Sequence, residues 1–183
     1  MIKFIERNKE IISTLSIIAV FAVFSNSANA ASISNTKPEQ AQISKTTSQE
    51  VFLVSKEEKL KSFENKGTLT DLELKELLYL VGFRGSNLIE AWAVAKKETN
   101  GQPIRLNPNS STGDNSWGLF QINMIGMLGP DRREKFELVT NSDLLNPVIN
   151  AQIAFHMSDG GLDWSAWHGI TPRTKSWMAK FPK

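Results

Sequence analysis

The sequence predicts a mainly helical domain with one small extended or hairpin segment beside a cleft. Apolar residues recur at helical spacing in several stretches, and signals for the start and end of a helix flank them. One short apolar stretch, residues 117–123, has instead the pattern of an extended segment or hairpin. The chain has 183 residues, of which 40% are hydrophobic and 22% charged, and this suits one ordinary domain with additional segments.

Residues 1–30 have the three parts of a secretory signal peptide. Lys3, Arg7 and Lys9 give a basic start, residues 11–24 are mostly apolar, and residues 28–30 fit the small-x-small cleavage rule. We therefore expect cleavage after Ala30 and a secreted or periplasmic protein. The apolar run is shorter than the ~20 residues of a usual membrane span. An uncleaved anchor is the alternative, and only then do we expect attachment to a membrane.

Residues 31–66 are predicted to be a flexible linker with a short helix, and residues 67–183 to be the domain. Up to about Glu50 the linker is rich in Ser, Thr, Gln and Asn, and such a composition cannot bury a core. Residues 55–58 then resemble a capping box at the start of the short helix.

The composition excludes several classes of function. Loss of residues 1–30 removes three of 21 basic and two of 19 acidic residues and leaves a net charge of +1, so no nucleic-acid partner is expected. The chain has no cysteine, so core packing alone must hold the fold. His156 and His168 cannot by themselves complete a zinc site, and a calcium loop begun at Asn107 would place Gly118 where a glutamate belongs. We predict no metal and no cofactor.

Two helices are predicted upstream of the extended segment. The first opens with a capping box at residues 70–73 and ends at Gly82. The second carries apolar residues at helical spacing from Leu88 onward, and it should stop at the Asn100-Gly101 pair, which suits a left-handed helix end.

Glu98 lies in the last turn of the second predicted helix. A negative charge there faces the negative end of the helix dipole, and partial burial beside Trp92 would add desolvation. Both effects disfavour ionisation, which suits a general acid. The alternative is an ordinary surface residue, because most glutamates are exposed.

The residues that follow favour a catalytic role for Glu98. A polar loop, residues 107–115, leads to Gly-Leu-Phe-Gln-Ile-Asn at 118–123. A Glu-Thr pair at a helix end, followed about twenty residues later by this segment, resembles the soluble lytic transglycosylase (SLT) domain of the lysozyme-like superfamily, over about residues 69–168. The resemblance implies a lysozyme-like fold, Glu98 as the catalytic acid and peptidoglycan glycan strands as the partner.

The resemblance also implies a set of substrate-binding residues. In that family the Gly-Leu-Met/Phe-Gln segment lines the sugar cleft, and an asparagine of a later helix lies near the cleft floor. Here that helix is predicted to begin with Asn146 as its N-cap and Pro147 at its first position. The candidates for substrate binding are Ser116, Gly118, Gln121, Asn123, Asn150 and Trp167.

Two of these candidates have clear alternatives. Asn150 could instead be a buried amide that ties its helix to a neighbouring loop. Trp167 stands where the family usually has a tyrosine that reaches toward the glutamate. An indole can donate one hydrogen bond and stack on a sugar, but it has no hydroxyl acceptor, and core packing is its alternative role.

The number of carboxylates decides the type of reaction. Where animal lysozymes carry a second acid, this chain has Ser116, and Asp114 is displaced by ~6.6 Å along an extended chain. We therefore favour a monomeric transglycosylase in which Glu98 acts alone and the product is a 1,6-anhydro sugar. A hydrolase that uses Asp114 or a positioned water is the first alternative. A non-catalytic glycan-binding or virion-structural module is the second.

Overall fold

The computed structural model of the protein describes residues 52–109, 111 and 113–183. The predicted signal peptide and most of the predicted linker lie outside these residues. The helices are α1 (52–63), α2 (Asp71–Val81), α3 (Gly85–Thr99), α4 (Leu128–Lys135), α5 (Pro147–Met157) and α6 (Pro172–Met178). The strands are β1 (Leu106–Asn107), β2 (Ser116–Trp117) and β3 (Ile122–Asn123). Short 3₁₀ turns lie at Asn141–Leu145, Asp159–Gly161 and Ser165–Trp167.

This architecture confirms the predicted fold class, which is mainly helical with a small extended segment. The hairpin expected at residues 117–123 is formed by β2 and β3, where Trp117 pairs with Ile122. A third strand, β1, pairs antiparallel with β2 and makes the order β1-β2-β3. Sequence reasoning missed β1, because a strand of two residues is too short to show alternation. Within the described residues, no helix has both the length and the apolar character needed to cross a membrane.

Helix α2 starts and ends where the sequence predicts. The Thr70 side chain accepts a hydrogen bond from the Glu73 backbone N–H, the Glu73 carboxylate accepts one from the Thr70 backbone, and Gly82 follows the last turn. Leu74, Leu77 and Leu78 face the core and are almost wholly buried. The capping box therefore begins a helix that is held in place by its apolar face.

Helix α3 is the central helix of the core, and it packs against α2 and α6. Trp92 is wholly buried, meets the rings of Trp177 and Phe181 edge to face, and donates to the Asp71 carbonyl at 3.2 Å. The sequence predicts Trp92 beside Glu98, but the contacts of this indole are with Trp177, Phe181 and Asp71 in the core. The helix ends at Asn100, which has a left-handed φ of 57°, as predicted.

Helix α1 belongs to the same compact unit as the rest of the described chain. The capping-box pattern predicted that the helix begins at Ser55. The helix already includes residue 52, so it begins earlier than this pattern indicated. Phe63, at the end of α1, is 4% exposed and packs into the core, and Lys59 forms an ion pair with Glu76 of α2 at 3.0 Å. This part of the predicted linker therefore packs against the domain.

Candidate active site

The Glu98 side chain lines a polar pocket at the junction of α3 and the sheet. It is 24% exposed and lies in the last turn of α3. The pocket has a volume of about 250 Å³ and is lined by Glu98, Arg105, Leu106, Asn107 and Gln121. Glu98 is thus the one carboxylate among the residues that line it. A larger and more apolar surface pocket, lined by residues of α2 and by Leu88, contains none of the predicted site residues.

Lys97 holds the Glu98 carboxylate. The Lys97 Nζ lies 2.9 Å from Glu98 Oε1 and donates to the Trp167 carbonyl at 2.8 Å. The lysine side chain is only 10% exposed. A lysine so far removed from water needs acceptors for its ammonium group, and these two oxygens supply them.

The turn of the hairpin, residues 118–121, is fixed against α3 and β1. The Gly118 N–H donates to the Arg105 carbonyl at 2.7 Å. The Thr99 hydroxyl, next to Glu98 and almost completely buried, lies 2.8 Å from the Leu119 carbonyl. The Glu-Thr pair therefore has two functions, because Thr99 anchors the turn while Glu98 faces the pocket.

Two further side chains hold the same turn from the other side. The Phe120 N–H donates to Asn150 Oδ1 at 2.8 Å, and the indole N–H of Trp167 donates to the Phe120 carbonyl at 2.7 Å. Hydrogen bonds from four separate parts of the fold therefore fix the backbone of the turn. Such support keeps a cleft-lining segment rigid.

Gly118 is required by the space around it. Its φ is +74°, and a Cβ at this position would lie 2.0 Å from the Leu144 carbonyl oxygen and 2.3 Å from Asn150 Nδ2. Both distances are far below contact, and one of the two neighbouring atoms belongs to the backbone. Only glycine fits here. Gly118 thus lets the hairpin approach α5 closely.

For Asn150 the structure corrects the expectation of a residue near the cleft floor. Asn150 is 0% exposed, and its Nδ2 donates to the carbonyls of Trp117 and Leu144, both at 2.9 Å. With its Oδ1 bound to the Phe120 N–H, the amide has no free surface for a sugar. Asn150 instead plays the alternative role considered above, since it ties α5 to the hairpin.

For Trp167 the structure likewise favours the core-packing alternative. The residue is 5% exposed, and its ring packs edge to face on Phe120 and Trp164. Because its indole N–H is already bonded to the Phe120 carbonyl, the ring offers no polar group to Glu98 or to a ligand. Its backbone carbonyl, by contrast, accepts from Lys97.

Gln121 lies in the pocket, as predicted. It has a left-handed φ of 50°, which bends the chain after the buried Leu119. Its Nε2 donates to the Gly118 carbonyl at 3.0 Å and lies 3.3 Å from the Arg105 carbonyl. The bend explains how Leu119 and Gln121, two residues apart, point to different surroundings.

Ser116 of β2 pairs with Asn123 of β3, and both side chains form hydrogen bonds within the domain. Ser116 is 6% exposed and donates to Asp114 Oδ1. Asn123 accepts from the N–H groups of Asn115 and Ile125 at 3.2 and 3.0 Å and donates to the Gly113 carbonyl. Both residues stabilise the loop beside the pocket, and neither lines it.

Asp114 faces its own loop. One carboxylate oxygen accepts from the Ser116 hydroxyl and the other from Asn107 Nδ2 at 2.5 Å. Asn107 lines the pocket, so Asp114 lies behind Asn107 rather than among the lining residues.

Arg132 of α4 contacts the backbone at the end of β3. Its guanidinium donates to the Asn123 carbonyl and is partly buried, and this burial lowers the pKa of Arg132. Arg133 also has an internal partner, since it donates to Asn141 Oδ1 at 2.6 Å. Both arginines hold loops together.

Sequence reasoning missed four residues of the site: Lys97 and the pocket-lining residues Arg105, Leu106 and Asn107. Arg105 and Asn107 are two residues apart, so alternation along an extended chain places them on one face. That signal depends on β1, which sequence reasoning had missed. For Lys97 no sequence signal exists, because its partner at Trp167 is distant in the chain. In the described part of the chain, no group of three or more His, Cys, Asp or Glu side chains could hold a metal ion.

The fold and the pocket together define a helical domain with a single acid at a helix end and a small sheet against it. Residues 75–169 match the family described as a lysozyme like domain, and the chain belongs to this family. The matched residues include Glu98, the hairpin and Trp167, which confirms the resemblance inferred from the Glu-Thr pair and the Gly-Leu-Phe-Gln segment. No curated protein matches the chain.

Proposed function

We propose that this protein is a peptidoglycan lytic transglycosylase with Glu98 as its single catalytic acid and base. Lysozyme-like domains are generally enzymes that act on peptidoglycan. The observation that carries the finer proposal is that Glu98 alone, among the residues lining its pocket, has a carboxylate. A mechanism with two carboxylates needs a second one at the scissile bond.

One carboxylate can complete the reaction if it acts twice. Protonated Glu98 donates its proton to the glycosidic oxygen between MurNAc and GlcNAc, the bond to C1 breaks, and the N-acetyl group of the substrate stabilises the cationic carbon. The Glu98 carboxylate then takes the proton of the 6-hydroxyl as that oxygen attacks C1. No water enters, the 1,6-anhydro ring closes, and Glu98 regains its proton for the next cycle.

The first competing reaction is hydrolysis with Asp114 as second acid. One contact favours it: Asn107 lines the pocket and binds Asp114, which places this carboxylate one hydrogen bond away from the pocket. Against it, each Asp114 oxygen already accepts from a side chain of its own loop or strand. The second competitor is a glycan-binding or virion-structural module that keeps the pocket without turnover.

The products of a peptidoglycan digest separate the three functions. The full-length chain, expressed with export so that any processing of residues 1–30 takes place, is incubated with purified peptidoglycan, and the released muropeptides are analysed by mass spectrometry. We expect 1,6-anhydro ends, ~18 Da lighter than hydrolysed ends because no water is added when one residue serves as acid and then base. Asp114→Asn should release the same products at a nearly normal rate.

Other outcomes point elsewhere. Reducible ends, together with a large loss of activity in Asp114→Asn, would establish the hydrolase, whereas a protein that binds peptidoglycan and releases nothing would be a binding module.

We also propose export to the periplasm or the medium, because residues 1–30 have the signal-peptide pattern. N-terminal sequencing of the exported protein tests this, with Ala31 as the expected first residue.

A further inference from the structure

Two consecutive lysines near the end of α3 are almost equally buried but have different partners. The Lys96 side chain is 9% exposed, and its Nζ lies 2.8 Å from Asp71 Oδ1. The Lys97 side chain is 10% exposed, and its Nζ is shared between Glu98 and the Trp167 carbonyl. Lys96 therefore connects α3 to α2, whereas Lys97 connects the acid of the pocket to the turn at Ser165–Trp167.

The contact between Lys97 and Glu98 is not the ordinary result of their adjacency. Neighbouring residues on a helix point about 100° apart and do not normally face each other. The Lys97 ammonium is within reach of Glu98 because the Trp167 carbonyl holds it at 2.8 Å. The turn at Ser165–Trp167 is itself fixed, since the Trp167 indole donates to the Phe120 carbonyl. Glu98 is thus connected through Lys97 to the same support that holds the hairpin turn.

We propose that Lys97 is a positioning residue of the proposed transglycosylase reaction, an inference that rests on the proposed function. The ammonium orients the Glu98 carboxyl group toward the pocket, where Gln121 and Asn107 are among the other lining residues. When Glu98 has given up its proton, the ammonium also stabilises the carboxylate at a helix end whose dipole opposes a negative charge. Lys97 itself exchanges no proton with the substrate.

Removal of the Lys97 charge should therefore slow the chemical step without weakening substrate binding. The assay measures kcat and KM on soluble, uncross-linked peptidoglycan strands with the exported protein. For Lys97→Met, which keeps the length of the side chain, we expect kcat to fall about 10- to 100-fold, because small displacements of a catalytic group cost that much. KM should stay near that of the parent. Lys97→Arg, which preserves the charge, should recover most of kcat.

Lys96→Met is the matched control, because Lys96 is the neighbouring lysine of equal burial and pairs with Asp71 rather than with Glu98. It should lower the melting temperature and leave kcat of the folded enzyme unchanged. A purely structural role for Lys97 predicts instead that Lys97→Met behaves as Lys96→Met does. Lys97→Gln, which can still donate to the Trp167 carbonyl, replaces Lys97→Met if that variant does not fold.

Three results would overturn the inference. Parental kcat in the neutral Lys97 variant removes Lys97 from the reaction while the proposed function stands. A raised KM at unchanged kcat, or a lowered kcat that Lys97→Arg fails to recover, shows that the ammonium does not act by orienting Glu98. A parent protein that releases no product rejects the proposed function, and this inference is rejected with it.

Discussion

Two helix ends of this domain each carry a glutamate paired with a lysine, and the two pairs are opposite in almost every physical respect. Glu73 lies in the first turn of α2, where the helix dipole favours a negative charge, and its carboxylate accepts from Lys66 and from Thr70. Glu98 lies in the last turn of α3, where the dipole opposes its charge, and Lys97 is the cation beside it.

The burial of the two lysines also differs. Lys66 is 37% exposed, so water can replace it as a partner of Glu73, whereas Lys97 is 10% exposed and is held by a backbone carbonyl. The hydrogen bonds from Lys66 and Thr70 stabilise the Glu73 carboxylate and outweigh its desolvation, which serves the start of a helix. Glu98 has less such support and opens into a pocket. The comparison teaches that the position in the helix, more than the ion pair, separates a structural glutamate from a candidate catalytic one.

The largest effect that tests this comparison is on turnover. Glu98→Gln should reduce product release at least ~100-fold, because the amide keeps the shape of the side chain but cannot deliver a proton. Glu73→Gln, the same substitution in the other pair, should leave turnover unchanged. The rate is measured as anhydro-muropeptide release at equal concentrations of folded protein. Circular dichroism of both variants must match that of the parent, and equal rates for Glu98→Gln and the parent would remove Glu98 from the mechanism.

The sequence predicted the helix ends well because their signals are local. The capping box at Thr70, the Asn146-Pro147 start of α5 and the Asn100 stop of α3 each depend on side chains within a few residues of the terminus. The apolar face of α2 is harder to predict from the helical period, since Leu72 is apolar and is nevertheless 61% exposed. Near a helix start, an apolar residue can satisfy the period and still lie outside the packed face.

The site was predicted in part. Glu98 and Gln121 lie in one pocket, as the resemblance implied, but Asn150 and Trp167 turned out to be buried supports. A motif identifies which residues belong together and does not say which of them touch the ligand. That distinction depends on contacts between distant parts of the chain, such as the bond from Trp167 to the Phe120 carbonyl. Lys97 was missed for the same reason.

A second prediction tests which side chains of the hairpin turn stabilise the fold and which serve the pocket beside α3. Leu119 is wholly buried, so Leu119→Ala should lower the free energy of unfolding by about 3 kcal/mol through lost burial and a cavity. Gln121→Ala should reduce activity about tenfold with little change in melting temperature, because it removes a pocket amide that is half-exposed. Chemical denaturation and the digest rate give the two quantities. The reverse result, an unfolded Gln121→Ala and a silent Leu119→Ala, would show that the faces are assigned wrongly.

The smallest expected effect is on the pH dependence of stability, and it concerns Glu73. The hydrogen bond from Lys66, followed by those from the Thr70 backbone and side chain, lowers the pKa of Glu73 from 4.5 to about 2. Since the pKa is depressed in the folded state, the stabilisation is complete above pH 4.5, declines as the pH falls, and is lost below about 2. It should amount to no more than about 1 kcal/mol, because solvent screens an exposed pair.

Urea unfolding of the parent and of Glu73→Gln at several pH values measures this term. The difference in free energy of unfolding should be constant near neutral pH and shrink between pH 4.5 and 2. Glu58→Gln, which changes an exposed carboxylate of α1 outside the capping box, is measured in parallel as the control. A Glu73→Gln difference that is independent of pH would show that the charge of Glu73 does not stabilise α2. The two pairs would then differ in the burial of their lysines, which are 37% and 10% exposed, and not in the effect of the helix end on the carboxylate.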